Sequence, residues 1–537
     1  MGAFQQTPIN GSIEKIIVVG GGSSGAISAA YLSKALGSNV EVQLIESPNI
    51  SKIGVGEATI PTIKEEVFDF LGIPEEEWMP VCKGTYKTGI RFDNWKRSPT
   101  EGGDRYWHAF GELPTVRRVP LSHIWLHNYL DGHHAPMDYT CYSTPLLCDH
   151  YKSPKYLDGT KAIHYAYHFD ATILADFLID WSVKHLGITQ TFAELVGAER
   201  NEEGNVTTVI DTDGNRYEAD LFIDCSGFKG FLIQEALEEP IVEFKDSLLT
   251  DSAVAVNIPN ESGNQDLRPF TSATAMEAGW AWKIPLMERS GNGYVYSSQF
   301  KTPEEAQTEM ARHLGPEKVK GRDFRHFKFK SFRRRRSWVN NVVSLGLAGA
   351  FLEPLESTGL YFVYASLYQL TCYFPGKKIN PALRDKFNER VNFMVDDVKD
   401  FIILHFCTSG RTDTPFWLAN KHDLVIPDPL REILDLQMSA VPVNRSYSSN
   451  EGLYDTLDSS FDRFWTNSNY QSILAGVGYL PKESMPLLKV RRDILEEGQK
   501  VVDEIRKKTQ HHLNNLPSHH EYLSHLYSRQ EALSPVE

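Results

Sequence analysis

The first clear hydrophobic pattern is a short apolar run that is followed by glycines and then by small residues. It predicts a buried strand over 15–19, a tight turn over 20–25 and a helix over 26–36. The next apolar run, "VEVQLIES", predicts a second strand that ends near Glu46. An order of strand, turn, helix and strand is typical of the start of an α/β domain with a parallel sheet.

Strand and helix patterns continue to about residue 375. A helix is predicted to begin after Asp170, because a short acidic side chain suits an N-cap. The pattern then predicts three strands joined by turns at Glu203-Gly204 and Asp213-Gly214, followed by a buried strand in "LFIDCSG". The stretch from about 50 to 150 has an irregular sequence pattern and is rich in aromatic residues and histidine.

The segment "GWAWKIPL" places two tryptophans one residue apart. Side chains alternate across a strand, so Trp280 and Trp282 are predicted to share one face, and Pro285 is predicted to end the strand. These residues alone fit either an ordinary core strand or an aromatic wall of a site.

The chain after residue 375 is predicted to be mainly helical. Its clearest segments are "PALRDKFNERVNFMVDDVKDFIILHF" and "LLKVRRDILEEGQKVVDEIRKKTQHHL". We therefore predict two domains. The first, over 1–375, is an α/β domain, and the second, over 376–537, is mainly helical.

Composition excludes several classes of function. The 537 residues carry a formal net charge of -15, which argues against nucleic acid or an anionic membrane as the main partner. The chain shows no signal pattern and no apolar run of membrane-spanning length, so a cytoplasmic protein is predicted. None of the six cysteines forms a Cys-x-x-Cys pair, and we predict neither a metal site nor a disulfide framework.

One local basic run, 333–336, contrasts with the acidic total. Solvation of the surface is its simplest interpretation. The alternative is that one or two of these arginines hold an anion, such as a phosphate-bearing cofactor.

Gly20, Gly22 and Gly25 form a G-x-G-x-x-G motif between a predicted strand and a predicted helix. Glycine permits the tight turn and the close approach of a pyrophosphate to the helix N-terminus, and Glu46 follows at the spacing of a ribose-binding acid. The sequence therefore predicts a dinucleotide-binding site. The strand "LFIDCSG" after three meander strands favours FAD over NAD, although Leu347 replaces the aspartate that usually contacts the ribityl chain.

Four segments together resemble one family. They are "GGGSSG", "GVGEATIP" with the downstream "YKTGIRF", "GWAWKIP" and "FLEPLESTG". The chain resembles the flavin-dependent tryptophan halogenases from about residue 14 to about residue 525, and W-x-W-x-I-P is their signature motif. The resemblance implies an α/β fold with a Rossmann-like FAD-binding domain of the flavin monooxygenase type and a mainly helical C-terminal substrate region. The FAD-binding domain is expected over 1–375 with interleaved substrate-contacting loops, and the substrate-binding region over 376–537.

The resemblance implies FAD, used as FADH2, together with chloride or bromide. A separate flavin reductase is expected to supply FADH2, and similar enzymes are commonly homodimers. Trp280 and Trp282 are expected beside the flavin, where they keep organic substrates away from it, and backbone N–H groups at Thr358 and Gly359 are expected to bind the halide. The remaining expected cofactor contacts are Gly20, Gly21, Gly22, Ser23, Ser24, Gly25, Glu46, Ser47, Glu57, Leu195, Leu347 and Leu360.

The resemblance assigns the chemistry to Lys87 and Glu356. The lysine is expected to hold hypohalous acid, by a hydrogen bond or as a haloamine, although a lysine in a strand is more often solvated. Lys83 lies outside the matching position. Glu356 is expected to polarise the electrophile and take the proton from the cationic ring. Glu353 is the competing carboxylate, and a helix cap is the structural alternative for either.

Substrate residues are also implied. His108, Phe110, Phe464 and Trp465 are expected to sandwich the indole, and Tyr454 and Asn469 to contact the amino-acid part.

One position departs from the family pattern, because Ser460 stands where the family has a glutamate that pairs with the substrate ammonium. Either a nearby acid replaces it, or the substrate is peptide-borne tryptophan, indole or another electron-rich arene. The acids in question are Asp455, Asp458 and Asp462. Two further functions stay open, a flavin-dependent aromatic hydroxylase and a catalytically silent flavoprotein.

Overall fold

The computed structural model describes residues 11–50, 52, 54–261, 267–443, 450–451 and 464–533. Its first large sheet has six strands, which are parallel except for the last pair. In spatial order the strands are Thr189–Phe192, Glu41–Glu46, Lys15–Val19, Leu221–Asp224, Val342–Ser344 and Trp338–Val339. We call it the parallel sheet.

A second large sheet of seven strands is mostly antiparallel, and we call it the seven-stranded sheet. Its order is Arg325–Lys328, Ser252–Pro259, Arg289–Tyr296, Gly279–Pro285, Thr271–Ala275, Gly89–Asp93 and Arg105–Ala109. The strand Gly279–Pro285 contains both tryptophans of the W-x-W motif and lies between two partners, so it is an interior strand.

Four smaller sheets of three strands complete the β structure. Their strands are Leu195–Arg200, Val206–Asp211 and Arg216–Glu218; Ile241–Glu243, Phe332–Arg334 and Ala350–Phe351; Asn450–Glu451, Leu113–Val116 and Val119–Pro120; and Glu57–Ala58, Ala166–Phe169 and Thr85–Lys87. The first of them is the predicted meander, whose turns lie at Gly204 and Gly214, both with positive φ.

Helices lie against the parallel sheet and dominate after residue 375. The α-helices are Ser23–Leu36, Glu75–Trp78, Leu121–Leu130, Met137–Cys141, Thr144–Asp149, Ala171–Leu186, Pro303–Leu314, Pro316–Val319, Gly359–Cys372, Pro381–Cys407, Pro415–His422, Asp428–Met438, Asn467–Val477, Pro486–Val490, Arg492–Asn515 and His519–Leu533. The short 3-10 helices are Gly37–Asn39, Pro99–Glu101, Gly227–Lys229 and Gly346–Ala348, and the π-helical turns are Lys64–Asp69 and Phe231–Ala236.

The prediction of an α/β fold with a helical C-terminal region is confirmed. Asp170 caps the helix Ala171–Leu186, since its side chain accepts the backbone N–H groups of Thr172 and Ile173. The strand with the two tryptophans ends at Pro285, as predicted. The division at residue 375 stays a prediction.

The glycine turn is shorter than predicted. The helix begins at Ser23 rather than at residue 26, with Gly22 as an extended N-cap. Gly25 therefore lies inside the first turn of the helix, where a Cβ atom would lie 1.7 Å from the carbonyl oxygen of Gly20. Serine is tolerated in a first turn, so Ser23 and Ser24 do not delay the helix.

The aromatic stretch from 50 to 150, whose sequence pattern is irregular, contains regular secondary structure. It supplies the strands Gly89–Asp93 and Arg105–Ala109 to the seven-stranded sheet, and also the helix Leu121–Leu130. Trp95 and Trp107 are fully buried there. The strand Arg105–Ala109 is buried at its last four positions, and a strand that is buried on both faces shows no alternation of polar and apolar residues.

The interpretation of the basic run 333–336 as surface is wrong for Arg334, which is 1% exposed. Its guanidinium donates to the carbonyl oxygens of Ala348 at 2.9 Å and Glu239 at 3.1 Å. Arg336 binds the Glu239 carboxylate. The predicted C-terminal helix is also broken, because Arg491 separates Pro486–Val490 from Arg492–Asn515.

Three further observations concern the described residues alone. None of their helices is both long enough and apolar enough to cross a membrane. No cluster of histidine, cysteine and carboxylate side chains among them is arranged to hold a metal ion. All six cysteines are free thiols, and four of them are buried.

Candidate active site

Lys87 lies where the chain passes from a small sheet to the seven-stranded sheet. Its strand, Thr85–Lys87, pairs with Ala166–Phe169, and Lys87 is opposite Ala166. After Thr88 the chain enters the strand Gly89–Asp93 of the larger sheet. At this crossing the Lys87 side chain is fully buried, with 0% exposed.

The ammonium group of Lys87 is held by two other motifs. It donates to the carbonyl oxygen of Thr59 at 2.9 Å and to the hydroxyl of Ser357 at 2.7 Å. It also lies 5.1 Å from the centre of the Phe110 ring, a favourable position for a cation. Burial lowers the pKa of Lys87 to about 7, although the carboxylates of Glu356 and Glu57 act in the opposite direction. The lysine is thus poised between amine and ammonium near neutral pH.

Ser357 has an unusual backbone conformation. Its φ of 59° lies in the left-handed region, which is costly for a residue with a Cβ atom. The conformation closes a turn in which the Ser357 N–H donates to the carbonyl oxygen of Pro354 at 3.1 Å. This turn directs the hydroxyl toward Lys87 immediately before the helix Gly359–Cys372 begins.

Glu356 is a fully buried carboxylate between two histidines. Its Oε2 atom lies 2.8 Å from His108 Nδ1, and its Oε1 atom lies 2.8 Å from His405 Nε2. Burial alone would raise the pKa of Glu356, but the hydrogen bonds from the two imidazoles, together with the positive charge carried by this histidine pair, outweigh burial and lower the pKa to about 2. The group is therefore a carboxylate, with each oxygen facing one imidazole.

Glu353 belongs to a separate contact. Its carboxylate accepts the indole N–H of Trp280 at 2.7 Å and the hydroxyl of Thr250 at 3.0 Å. Burial raises the pKa of Glu353 to about 7, and those two hydrogen bonds only partly oppose it. Of the two competing carboxylates, only Glu356 shares an electrostatic contact with Lys87.

His108 links the carboxylate to the helical region. Its strand pairs with Gly89–Asp93, so His108 lies opposite Ile90, and the Phe110 N–H donates to the Thr88 carbonyl oxygen. The other ring nitrogen, Nε2, lies 2.9 Å from the Asn469 amide nitrogen. Asn469 is itself fixed by a capping box with Thr466 at the start of the helix Asn467–Val477.

The aromatic pair Phe464 and Trp465 packs next to this chain of contacts. The Trp465 ring stacks on Phe401 at a centroid distance of 4.0 Å, and it lies 6.1 Å from the His108 ring. Phe464 stacks on Tyr361 at 4.3 Å. Phe464 and Trp465 therefore stack on two different aromatic rings, and it is the Trp465 ring that approaches His108.

The predicted nucleotide site has an open helix N-terminus. The N-cap of the helix Ser23–Leu36 is Gly22, so no side chain caps its first N–H groups, and a Cβ at Gly22 would meet no atom within 4 Å. Glu46 folds over Gly21, where a Cβ would lie 1.8 Å from its carboxylate. Gln190 and Lys52 bind that carboxylate. These residues fit a pyrophosphate at the helix and a ribose near Glu46.

Other predicted cofactor residues lie around the same helix. The turn at Gly346 and Leu347 packs on Ser24, since a Cβ at Gly346 would lie 2.1 Å from the Ser24 hydroxyl. Ser23 donates to the carbonyl oxygen of Ala171. Ser47 follows the strand that ends at Glu46, and Leu195 begins the meander.

The start of the helix Gly359–Cys372 lies close to Glu57. Its N-cap Thr358 makes no side-chain cap, and Leu360 in the first turn is buried. A Cβ at Gly359 would lie 3.9 Å from the Glu57 carboxylate. Burial raises the pKa of Glu57 to about 7, although Lys87 opposes it. The predicted halide site and one predicted cofactor residue are thus neighbours of the lysine.

Trp280 and Trp282 share one face of their strand, as predicted, with ring centroids 6.2 Å apart. Ala281 between them packs in a different core cluster. Trp280 is held by Glu353. The Trp282 indole N–H, by contrast, has no hydrogen-bond partner within the described part of the chain. A buried unpaired donor is unusual in a core strand and fits contact with a bound group.

Some predicted positions fall outside the described residues. These are Tyr454 and Ser460, together with the acids Asp455, Asp458 and Asp462. Other contacts were missed by the sequence analysis, namely Thr59, Ser357, Phe401 and His405. Ser357 lies within the quoted "LESTG" motif, but His405 and Phe401 lie in a long apolar helix segment that gives no local signal for a site.

Comparison with known proteins gives consistent results. A sequence profile described as Tryptophan halogenase matches residues 15–493. The chain is 43% identical over 534 residues to tryptophan 7-halogenase RebH of Lentzea aerocolonigenes, covering 97% of this chain and 100% of that protein. It is 38% identical over 529 residues to tryptophan 6-halogenase ThaL of Streptomyces albogriseolus, covering 96% and 99%. The crystal structure of tryptophan 6-halogenase SttH from Streptomyces toxytricini matches with a TM-score of 0.86 at 35% identity, covering 95% of this chain and 100% of that one.

Proposed function

The chain belongs to the tryptophan halogenase family and is a halogenase enzyme, and we propose that it uses FADH2, oxygen and chloride or bromide to halogenate the indole ring of tryptophan. The observation that carries the proposal is the position of Lys87. Its ammonium group joins the "GVGEATIP" and "LESTG" motifs through Thr59 and Ser357, and Glu356 interacts with it from the same turn.

Reduced FAD, when bound, supplies the activation of oxygen that converts halide into hypohalous acid. The residues that would hold FAD are those around the helix Ser23–Leu36, including the glycine turn and Glu46. Trp280 and Trp282 would form a wall beside the flavin that excludes organic substrates. The uncapped helix start at Thr358 and Gly359 would bind the halide, since backbone N–H groups and the helix dipole favour an anion.

Lys87 would hold the electrophilic halogen. As an ammonium group, a buried lysine whose pKa is about 7 can donate a hydrogen bond to hypohalous acid; as the free amine, it can take the halogen from hypohalous acid, with the O–halogen bond broken and water released. Its two hydrogen-bonded neighbours, Thr59 and Ser357, fix the nitrogen in one place. A fixed donor can present halogen to one ring carbon, whereas free hypohalous acid reacts indiscriminately.

Glu356 would stabilise the cationic ring and take its proton. A carboxylate with a pKa of about 2 is a weak base, but a ring cation that has gained a halogen is a far stronger acid than a carboxylic acid. The negative charge is also buried, so it acts on a nearby cation with little screening.

The aromatic residues that would sandwich the indole are His108, Phe110, Phe464 and Trp465, with Tyr454 and Asn469 near the amino-acid part. Ser460 motivates a second candidate, the same chemistry on peptide-borne tryptophan or indole. A serine lacks the charge that an ammonium group prefers. The relatives RebH and ThaL are named for different ring positions, so the position is left to analysis of the product.

The proposed partners follow from the chemistry. No nicotinamide site is evident in the sequence, so a separate flavin reductase would supply FADH2. A homodimer is proposed by analogy with similar enzymes. The reductase proposal is tested by measuring product formation with and without an added flavin reductase. The homodimer proposal is tested by measuring the molar mass of the enzyme by light scattering.

The deciding experiment supplies the enzyme with a flavin reductase, NADH, FAD, oxygen and chloride. Free L-tryptophan, a tryptophan-containing peptide and indole are run in parallel and analysed by mass spectrometry. We expect a chlorine isotope doublet on tryptophan. A doublet on the peptide or indole alone would replace the substrate, and an oxygenated product without chlorine would indicate a hydroxylase instead.

A further inference from the structure

His405 is a buried histidine whose two ring nitrogens both face hydrogen-bond acceptors. Its Nδ1 atom lies 2.7 Å from the carbonyl oxygen of Phe401, and its Nε2 atom lies 2.8 Å from Glu356 Oε1. A backbone carbonyl oxygen can only accept, so Nδ1 must carry a proton. If Glu356 is ionised, its oxygen can also only accept, and Nε2 must then carry a second proton.

The opposite histidine does not need a second proton. His108 Nε2 faces the Asn469 amide nitrogen, which is a donor, because the amide oxygen of Asn469 accepts from Thr466. His108 Nε2 is therefore the acceptor, and its proton lies on Nδ1, toward Glu356. A neutral imidazole satisfies every contact of His108, so the positive charge next to Glu356 falls to His405.

The position of His405 also favours a cation. It lies in the last turn of the helix Pro381–Cys407, where the helix dipole is negative. Both His405 and Glu356 are 0% exposed, so neither charge can be screened by water. The other titratable groups coupled to Glu356 are Lys87, whose ammonium binds Thr59 and Ser357, and Tyr106.

We propose that His405 is a doubly protonated positioning residue that holds Glu356 as a carboxylate, with one oxygen directed by His405 and the other by His108. Glu356 then enters each turnover ionised. Its orientation depends on a residue that is itself fully buried and bonded to Phe401 and Glu356. The kinetic consequence rests on the proposed function, whereas the protonation state does not.

His519 provides an internal control in the same protein. It is also fully buried, but its Nε2 atom accepts the Tyr86 N–H at 3.1 Å and its Nδ1 atom donates to the Leu267 carbonyl oxygen at 2.9 Å. Burial lowers the pKa of His519 to about 4. A ring with one donor nitrogen and one acceptor nitrogen is neutral. His519 should therefore carry one ring proton, whereas His405 should carry two.

The test is 15N NMR of histidine-labelled wild-type protein near neutral pH, with signals assigned from His405→Gln and His519→Gln. We expect two protonated nitrogens on His405 and one on His519. In Glu356→Gln we expect His405 to lose one proton, because its anionic partner is gone. Neutron diffraction from deuterium-exchanged wild-type crystals reads the same protons if a variant does not fold.

A bare nitrogen on wild-type His405 would overturn the proposal, as would two retained protons in Glu356→Gln. The kinetic arm compares His405→Gln with wild type. We expect kcat for halogenation to fall about 10- to 100-fold, while KM for tryptophan and the rate of FADH2 oxidation stay unchanged. An unchanged kcat would overturn the positioning role. If wild type makes no halogenated product, the proposed function fails, and the proton positions still decide the state of His405.

Discussion

The Nζ atom of Lys87 lies 2.7 Å from the hydroxyl oxygen of Ser357, a residue held in the left-handed backbone region. Because that conformation is costly for serine, the surrounding turn must maintain it. The same turn contains Glu356 and leads into the helix Gly359–Cys372. One short segment therefore fixes the lysine, the carboxylate and the proposed halide site relative to each other.

Removal of the amine tests the proposed role of Lys87 directly. Lys87→Met keeps the length of the side chain and removes its nitrogen, so we expect halogenated product to disappear while FADH2 oxidation continues. The matched control is Lys83→Met, four positions earlier, whose charge pairs with Glu288 at the surface. Both variants are measured by product mass and by oxygen consumption. Product formation by Lys87→Met at the rate of the control would remove Lys87 from the mechanism.

The lowered pKa of Lys87 predicts a pH dependence. The folded-state pKa is about 7, so the amine form increases as the pH rises through this value. If the free amine accepts the halogen, single-turnover halogenation increases between about pH 6 and pH 8. We expect this increase, measured after rapid mixing with preformed FADH2. A rate that falls over the same range would show that the ammonium form, acting as a hydrogen-bond donor, is the active one.

The two buried carboxylates of the "FLEPLESTG" segment are expected to differ. Glu356→Gln removes the charge next to Lys87, and we expect turnover to fall by about 100-fold or more, as for the loss of a positioned acid–base group. Glu353→Gln is the control, since an amide oxygen can still accept from Trp280. The measurement is kcat for product formation with each variant. An equal fall in kcat for Glu356→Gln and Glu353→Gln would show that the two carboxylates do not differ in their importance for turnover.

Much of the local structure could be predicted because it depends on neighbouring residues. Asp170 caps its helix through backbone groups two and three residues away. Pro285 ends a strand because it lacks an N–H, and Gly204 and Gly214 mark turns through their positive φ. The motif glycines likewise define the first turn, although the helix starts at Ser23, earlier than predicted.

The contacts of the site could not be predicted in the same way. Thr59, Lys87 and Ser357 meet because a small sheet, the seven-stranded sheet and a helix start converge, and no periodicity reports that convergence. The family resemblance pointed to Lys87 and Glu356 as single residues. It gave no reason to choose His405, which lies in an apolar helix where a histidine is usually only a core residue.

The close approach of Trp282 to Gly293 gives the last prediction. The two residues are paired across neighbouring strands, and a Cβ at Gly293 would lie 2.1 Å from the Trp282 ring. Gly293→Ala should therefore displace the indole, at a cost of about 1–3 kcal/mol in the free energy of unfolding. The control is Gly197→Ala, also in a strand, where a Cβ meets no atom within 4 Å. Urea unfolding gives the stability, and the ratio of product formed to FADH2 oxidised gives the coupling. Because Trp282 is proposed to shield the flavin, we expect only Gly293→Ala to lower both quantities. Equal behaviour of the two variants would mean that the position of the Trp282 ring does not matter for coupling.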